Sequence, residues 1–440
     1  MIKISIISNV LGTAPGPARF TPPLEIAMKQ PKLPIAAVVA AAVTALAACS
    51  SGGSTGTTTL SGKTSGAAVT IGLIAPTGTS AGNYDDDVAG ARAAARALNA
   101  AGGVKGHPVK IDYCNEGNDV NKASACARQL EASRDIALVG TFSQFASQSI
   151  LPNLKTIPNI GPIAISAPEV ACPTCYAFDS MIIGEYQGTG ALLSQAGFKT
   201  VDILGADVPA GHAAVAQVTS GFKKLGVSVK DIVYIPLTAS DVSSYALKLS
   251  QDNAEAIVPQ HTHQVTFAVL QALKQLGKGV KLVTNDSQLE IPDIKALGSE
   301  VDGSYVQSGL PPASAADVYP GVKKWIADMK AEQDAGDAQA SVLDSQALHS
   351  WLGVRAIAEI ASQVTGTVDR ASFMAALKAA KDVSLQGILP AWTPAAATPA
   401  GVPKGLVNPY VFFMKVENGD YHLINKDPWN LATSKYQPVG

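Results

Sequence analysis

From Ala68 onward the chain alternates short runs of β-branched residues with longer alanine-rich stretches, and that alternation limits its fold more than any other feature. Val69–Ala75 reads as a buried strand, 84–100 as a helix opened by Tyr84, 109–114 as a strand, 121–133 as a helix, 136–139 as a strand and 145–154 as a helix. Strand, helix and strand at this spacing form right-handed βαβ units on a parallel sheet covered on both faces. The pattern then restarts, with strand candidates at 201–204, 228–235, 256–258 and 281–284 separated by helices at about 212–225, 242–252 and 264–277. After Gly303 helices dominate, over 316–331 and 343–363, and near the end 410–417 and 420–425 flank Asn418-Gly419, the pair a type I′ hairpin turn requires. The expected fold class is α/β, with two doubly wound parallel-sheet lobes and a cleft between them.

One stretch stands out as a ligand seat. In 138–148, LVGTFSQFASQ, an apolar run stops at Gly140, and Thr141, Phe142, Ser143 and Gln144 lead into a helix. Hydroxyls and free backbone N–H groups at a helix start can hold a carboxylate or another small acceptor. Thr141 or Ser143 can equally be a plain helix cap. Both roles stay open on sequence alone.

At 440 residues the chain exceeds one compact core and suits two domains. Charged residues make up 15%, the formal net charge is -2, and no basic run appears, which argues against a nucleic-acid partner. The one continuously apolar segment, 35–48, has 14 residues, short of the roughly 20 that span a bilayer. It follows Met28-Lys29-Gln30-Pro31-Lys32 and ends Leu46-Ala47-Ala48-Cys49, the layout of a secretory signal over residues 1–48. Residues 1–27 fit no signal pattern, and Met28 is the better start. Leu-Ala-Ala-Cys resembles the bacterial lipobox; the resemblance implies cleavage before Cys49 and a lipid on its sulfur, tethering the mature protein to the outer face of the cytoplasmic membrane. Residues 49–67, rich in Ser, Thr and Gly, read as a flexible tether. Within it Gly62-Lys63-Thr64 imitates a phosphate-binding loop, but Thr57 stands where that loop needs Gly.

The other cysteines are Cys114, Cys126, Cys172 and Cys175. Export favours disulfides, and proximity alone favours Cys114 with Cys126 and Cys172 with Cys175. A redox or zinc role for the Cys-x-x-Cys pair is the alternative; no second pair or neighbouring His completes a zinc set.

Ile71-Gly72-Leu73-Ile74-Ala75-Pro76-Thr77-Gly78, Gly90-Ala91 in a helix, and Leu98-Asn99-Ala100-Ala101-Gly102-Gly103-Val104-Lys105-Gly106 before a strand closely resemble the first third of type I periplasmic binding proteins, in the branch serving branched-chain amino acid ABC transporters. Ile163 to Ala167, Asp302-Gly303-Ser304-Tyr305-Val306 and Ala371-Ser372-Phe373 continue the match in order. The resemblance implies two lobes joined by three crossovers, 69–184 with 308–390 and 185–307 with 391–433. It further implies hinge closure over a small ligand, an amino acid first, with ABC permease subunits as partners and no cofactor. The family's carboxylate-holding loop falls on Thr141, Phe142, Ser143 and Gln144, and a second loop on Ser166 and Ala167. Tyr84, at the first helix start, joins the ligand contacts. The acid that receives a ligand ammonium falls near Asp286, with Ser287 and Glu290 as rivals. Ala210 stands where a tyrosine is common and Pro259-Gln260-His261-Thr262-His263 where another aromatic is common; these departures set the chain apart from branched-chain binders.

His261 and His263 are two apart, so on an extended segment both would face one side, as a metal pair, as ligand contacts or as a solvated strand end; no carboxylate follows at ligand spacing to complete a metal set. Asp85-Asp86-Asp87 reads as an acidic first turn favoured by the helix dipole rather than as a cation site. Gly78-Thr79-Ser80-Ala81-Gly82 matches the G-x-S-x-G pattern of a hydrolase nucleophile turn, without a His-Gly-Gly run for an oxyanion hole. The expectation is a binding protein and no enzyme, with a ligand-sensing receptor subunit of the same fold as the alternative.

Overall fold

The computed structural model describes residues 64–439 apart from 80–81, 144–145, 166–168 and 170–171. The signal region, Cys49, Ser80, Gln144, Ser166 and Ala167 lie outside the described residues.

The first part of the chain runs β1 (Val69–Ala75), α1 (Asp85–Ala100), β2 (Val109–Asn115), α2 (Val120–Ala132), β3 (Ala137–Val139), α3 (Ser147–Ile150), β4 (Asn159–Ile160) and β5 (Cys175–Tyr176). Its strands form one parallel sheet in the order β2-β1-β3-β4-β5. Strand side chains alternate between faces, and here both faces are buried. Ile71 and Leu73 join a core with α1, while Ile74 packs with Leu130 of α2 and with Leu138 on the other side.

Then follow α4 (Met181–Ala196), β6 (Thr200–Ala206), α5 (Pro209–Thr219), β7 (Ser228–Ile235), α6 (Ser243–Gln251), β8 (Ala256–Gln260), α7 (His263–Gln275), β9 (Val283–Asn285), α8 (Ile291–Leu297) and β10 (Tyr305–Ser308). β7, β6 and β8 pair in parallel, an isolated bridge from Ile257 to Leu282 leads on to β9, and β9 pairs with β10. The helices α9 (Pro320–Asp334), α10 (Ser345–Ser362) and α11 (Arg370–Ala379) return to the first sheet, where Trp325, Trp351 and Phe373 share the core of Leu73 and Val139. β11 (Tyr410–Glu417) pairs antiparallel with β10 and with β12 (Asp420–Leu423). Asn418 and Gly419 between β11 and β12 have φ of 55° and 82°, as a type I′ turn demands. β13 (Trp429–Asn430) and β14 (Lys435–Tyr436) extend the same edge.

Two local expectations are corrected. The helix expected over 145–154 is only α3 and a 3-10 turn at Leu151–Asn153, because Pro152 has no N–H for the helical ladder. The helix expected from 316 starts at Pro320, whose fixed φ suits a first helical position. The acidic first turn expected at 85–87 opens α1, and within it Asp86 and Asp87 are buried, with Asp87 Oδ1 accepting from Ser350 Oγ of α10. The two disulfides favoured on proximity are both formed, with Cα atoms 5.7 Å apart for Cys114–Cys126 and 5.1 Å for Cys172–Cys175.

Candidate functional site

In open α/β sheets ligands settle beyond the carboxyl ends of the strands. Residues that follow β1, β3, β6, β8 and β9 border a common cavity of about 110 Å³. Tyr84 and Phe142 reach it from the first sheet, and Val208, His261, Asn285 and Ser287 from the second.

Local structure fixes each of these side chains. Tyr84 precedes α1, its backbone N–H bonded to Pro76 O at 2.9 Å. Phe142 leaves β3 with its N–H on Ile74 O at 3.0 Å, so this amide is spent on the sheet edge rather than offered to a ligand. The two rings meet edge-on with centroids 4.7 Å apart. His261 directly follows β8. Its Nε2 lies 2.8 Å from Ile235 O, and its Nδ1 accepts from Thr262 N at 2.7 Å. A carbonyl can only accept, so Nε2 carries the hydrogen and the ring is neutral. Burial lowers its pKa, consistent with that form. Ser287 Oγ donates to Asn285 Oδ1 at 3.0 Å.

The other expected ligand residues are distributed elsewhere. Thr141 and Ser143 line a separate space of about 10 Å³ with Asn159 and Glu169. Ser143 Oγ accepts from Ala146 N at 3.0 Å within the turn before α3, whose own N-cap residue, Ala146, makes no side-chain cap. Thr141 Oγ1 is buried with no hydrogen-bond partner among the described residues. His263 does not share a side with His261, because α7 begins at His263 and helical geometry replaces strand alternation. Its Nε2 stands 2.8 Å from Asp293 Oδ2 and its Nδ1 3.9 Å from Glu290 Oε1. These three side chains are close enough to hold a metal ion, but Glu290 and Asp293 already form the capping box that starts α8.

Asp286 lines a larger cavity of about 360 Å³ together with Glu290, Asp344 and Asp420. Burial pushes Asp286 up to about 6, against hydrogen bonds from Ser345 and Ser308, and pushes Glu290 up to about 8. Burial likewise raises Asp344 and, behind them on α1, Asp86; Asp87 is pushed up to about 7. Sequence reasoning missed this buried acidic group, since an Asp-Asp-Asp run at a helix start looks solvated. It also missed Tyr186, a cavity residue on α4, because α4 itself was not visible.

The chain is 25% identical over 237 residues to the amino acid binding protein of Pseudomonas aeruginosa, a match covering 50% of this chain and 61% of that protein. A fatty acid ABC transporter substrate-binding protein from Thermomonospora curvata superposes with a TM-score of 0.68 at 16% identity, over 86% of this chain and 97% of that one. The leucine binding protein of Thermotoga maritima gives 0.63 at 17% identity, over 81% and 98%. At such identities the structural likenesses speak for the fold alone. The family model described as Periplasmic binding protein matches residues 68–419, so this chain belongs to that family of binding proteins, which are not enzymes, and the hydrolase reading of Ser80 falls away.

Proposed function

We propose that this protein is the extracytoplasmic solute-binding component of an ABC importer and that the 110 Å³ cavity is its ligand site. The observation that carries the reading is the joint lining: aromatic side chains following the first sheet face amide and hydroxyl side chains following the second across one small space. The lobes are 69–184 with 308–390 and 185–307 with 391–433. Closure turns on the crossovers, where Asn408 Nδ2 donates to Phe178 O at 3.0 Å and Pro390 O at 3.2 Å and so ties crossover segments together. The closed form is what permease subunits recognise, and a lipid on Cys49 keeps the protein at the membrane. The ligand is a small polar compound, an amino acid or a related compound, a class that includes what the Pseudomonas relative is named for.

A thermal-shift screen of amino acids, amides, organic acids, amines and sugars tests this. A true ligand at 100 times its dissociation constant stabilises the fold by about 2.7 kcal/mol. The same ligand loses that effect on Phe142→Ala. Silence from every class, or a ligand indifferent to Phe142, overturns the assignment.

A further inference from the structure

Resting on the cleft reading above, the chemistry of the lining narrows the ligand. None of the 17 described residues around the cavity is Asp, Glu, Lys or Arg, and its one histidine, His261, is neutral with both nitrogens engaged. Residues 80–81, 144–145, 166–168 and 170–171, which lie outside the described residues, include no ionisable side chain. An ionised group enclosed without an opposite charge costs several kcal/mol. Such a lining therefore disfavours an ammonium or a carboxylate in its ligand.

What the cavity offers instead is directional. Gln260 donates from Nε2 to Pro259 O at 2.6 Å, which leaves its Oε1 buried and without a hydrogen-bond partner among the described residues. That oxygen asks for an N–H or O–H donor. On the second-lobe side, Val208 and Thr262 are the residues that precede α5 and α7, so two helix N-termini meet the space. Pro209 opens α5, no side chain caps its start, and Gly211 in its first turn borders the cavity. Free N–H groups there carry partial positive charge, enough to favour a carbonyl oxygen. The 110 Å³ volume lies below the roughly 150 Å³ of an apolar cavity that accepts benzene, so the apolar body is compact.

We propose that the cavity takes a small uncharged amide: its carbonyl oxygen toward the starts of α5 and α7, its N–H on Gln260 Oε1, and a short branched alkyl body against Tyr84, Phe142 and the His261 ring. The rival is a cation. Glu290, Asp86 and Asp344 act electrostatically on the Tyr84 hydroxyl although none of them lines the cavity, and an amine would answer to them.

Titration calorimetry of the full chain with isobutyramide, isobutyrate, isobutylamine and valine separates these cases, because the four share a branched alkyl body and differ in charge. The amide binds at least about tenfold more tightly than any charged member. Gln260→Leu, which removes the acceptor, lowers amide affinity by about as much, and Gln260→Glu, which keeps an acceptor and adds a charge, narrows the gap to isobutylamine. A charged member that equals or beats the amide overturns the inference, as does amide binding indifferent to Gln260→Leu. If none of the four binds while another class in the wider screen does, this inference falls and the solute-binding reading stands; if nothing in either set binds, both fall.

Discussion

The 3-10 turn Asp286–Gln288 sends neighbouring side chains into two unlike cavities. Ser287 and Gln288 border the 110 Å³ space, which has no ionic side chain among the described residues around it, whereas Asp286 borders the 360 Å³ space with Glu290, Asp344 and Asp420. At three residues per turn, successive side chains point about 120° apart, so one step along the chain changes the chemistry entirely. The larger cavity is the worse guide to function. Burial and mutual repulsion hold Asp286 and Glu290 toward their neutral forms and burial does the same for Asp344, and several are already engaged: Asp344 caps α10 by accepting from Ala347 N at 3.1 Å, and Glu290 caps α8. The smaller one brings together part of the expected set, Tyr84, Phe142 and His261, with Ser287, the rival to Asp286.

The comparison breaks most visibly at Phe142. This ring is 4% exposed and bonds edge-on to Tyr84, so Phe142→Ala removes a core side chain and a wall of the smaller cavity together. Urea unfolding should show a loss of about 3–5 kcal/mol. A loss under about 1 kcal/mol would mean that the ring is not packed as described.

The acidic cavity should announce itself through pH. Glu290 at about 8, Asp87 at about 7 and Asp286 at about 6 all lie above their ordinary values. The folded state therefore binds protons that the unfolded state has released, and stability is lost as pH rises from the ordinary carboxylate range through these values. Each such proton is worth about 1.4 kcal/mol per pH unit, so stability should fall by about 4 kcal/mol between pH 6 and 8. Glu290→Gln should flatten the upper half of that slope. A flat profile in the native protein would mean that the carboxylates are solvated.

Asp286→Asn separates the two cavities directly. If the ligand occupies the smaller one, its affinity changes by less than about threefold while stability at pH 8 rises, since a costly buried charge has gone. A drop beyond about tenfold would move the ligand to the acidic side and restore the ammonium-binding role that resemblance assigns to Asp286.

Much of this was legible in sequence where periodicity was strong. β1 and β7 have the bounds read from their β-branched runs, and Asn418-Gly419 gave its turn. α4 was not legible because 10 of its 16 residues are buried, which leaves no apolar stripe to count. The binding loops could be placed by resemblance, but side-chain direction could not. Asp286 against Ser287, and His261 against His263, turn on where a strand stops and a tight turn or helix begins. Sequence locates that boundary only to within a few residues.

The two histidines give the finest test. Burial works against a charged His263, yet the hydrogen bond its ring donates to the Asp293 carboxylate and the nearby Glu290 and Asp293 outweigh it and raise its pKa. Its contribution is therefore fully present below the ordinary value of 6.5 and is lost as pH rises through the raised value. His263→Gln should cost about 1 kcal/mol at pH 6 and almost nothing at pH 9. His261 has no such partner; its ring stays neutral, held by Ile235 O and Thr262 N. The penalty of His261→Gln should accordingly be the same at both pH values, measured by urea unfolding alongside. A penalty for His261→Gln that shrinks from pH 6 to pH 9 would mean that this ring takes up a proton inside the smaller cavity, and the contrast between a charge-free space and an acidic one would no longer hold.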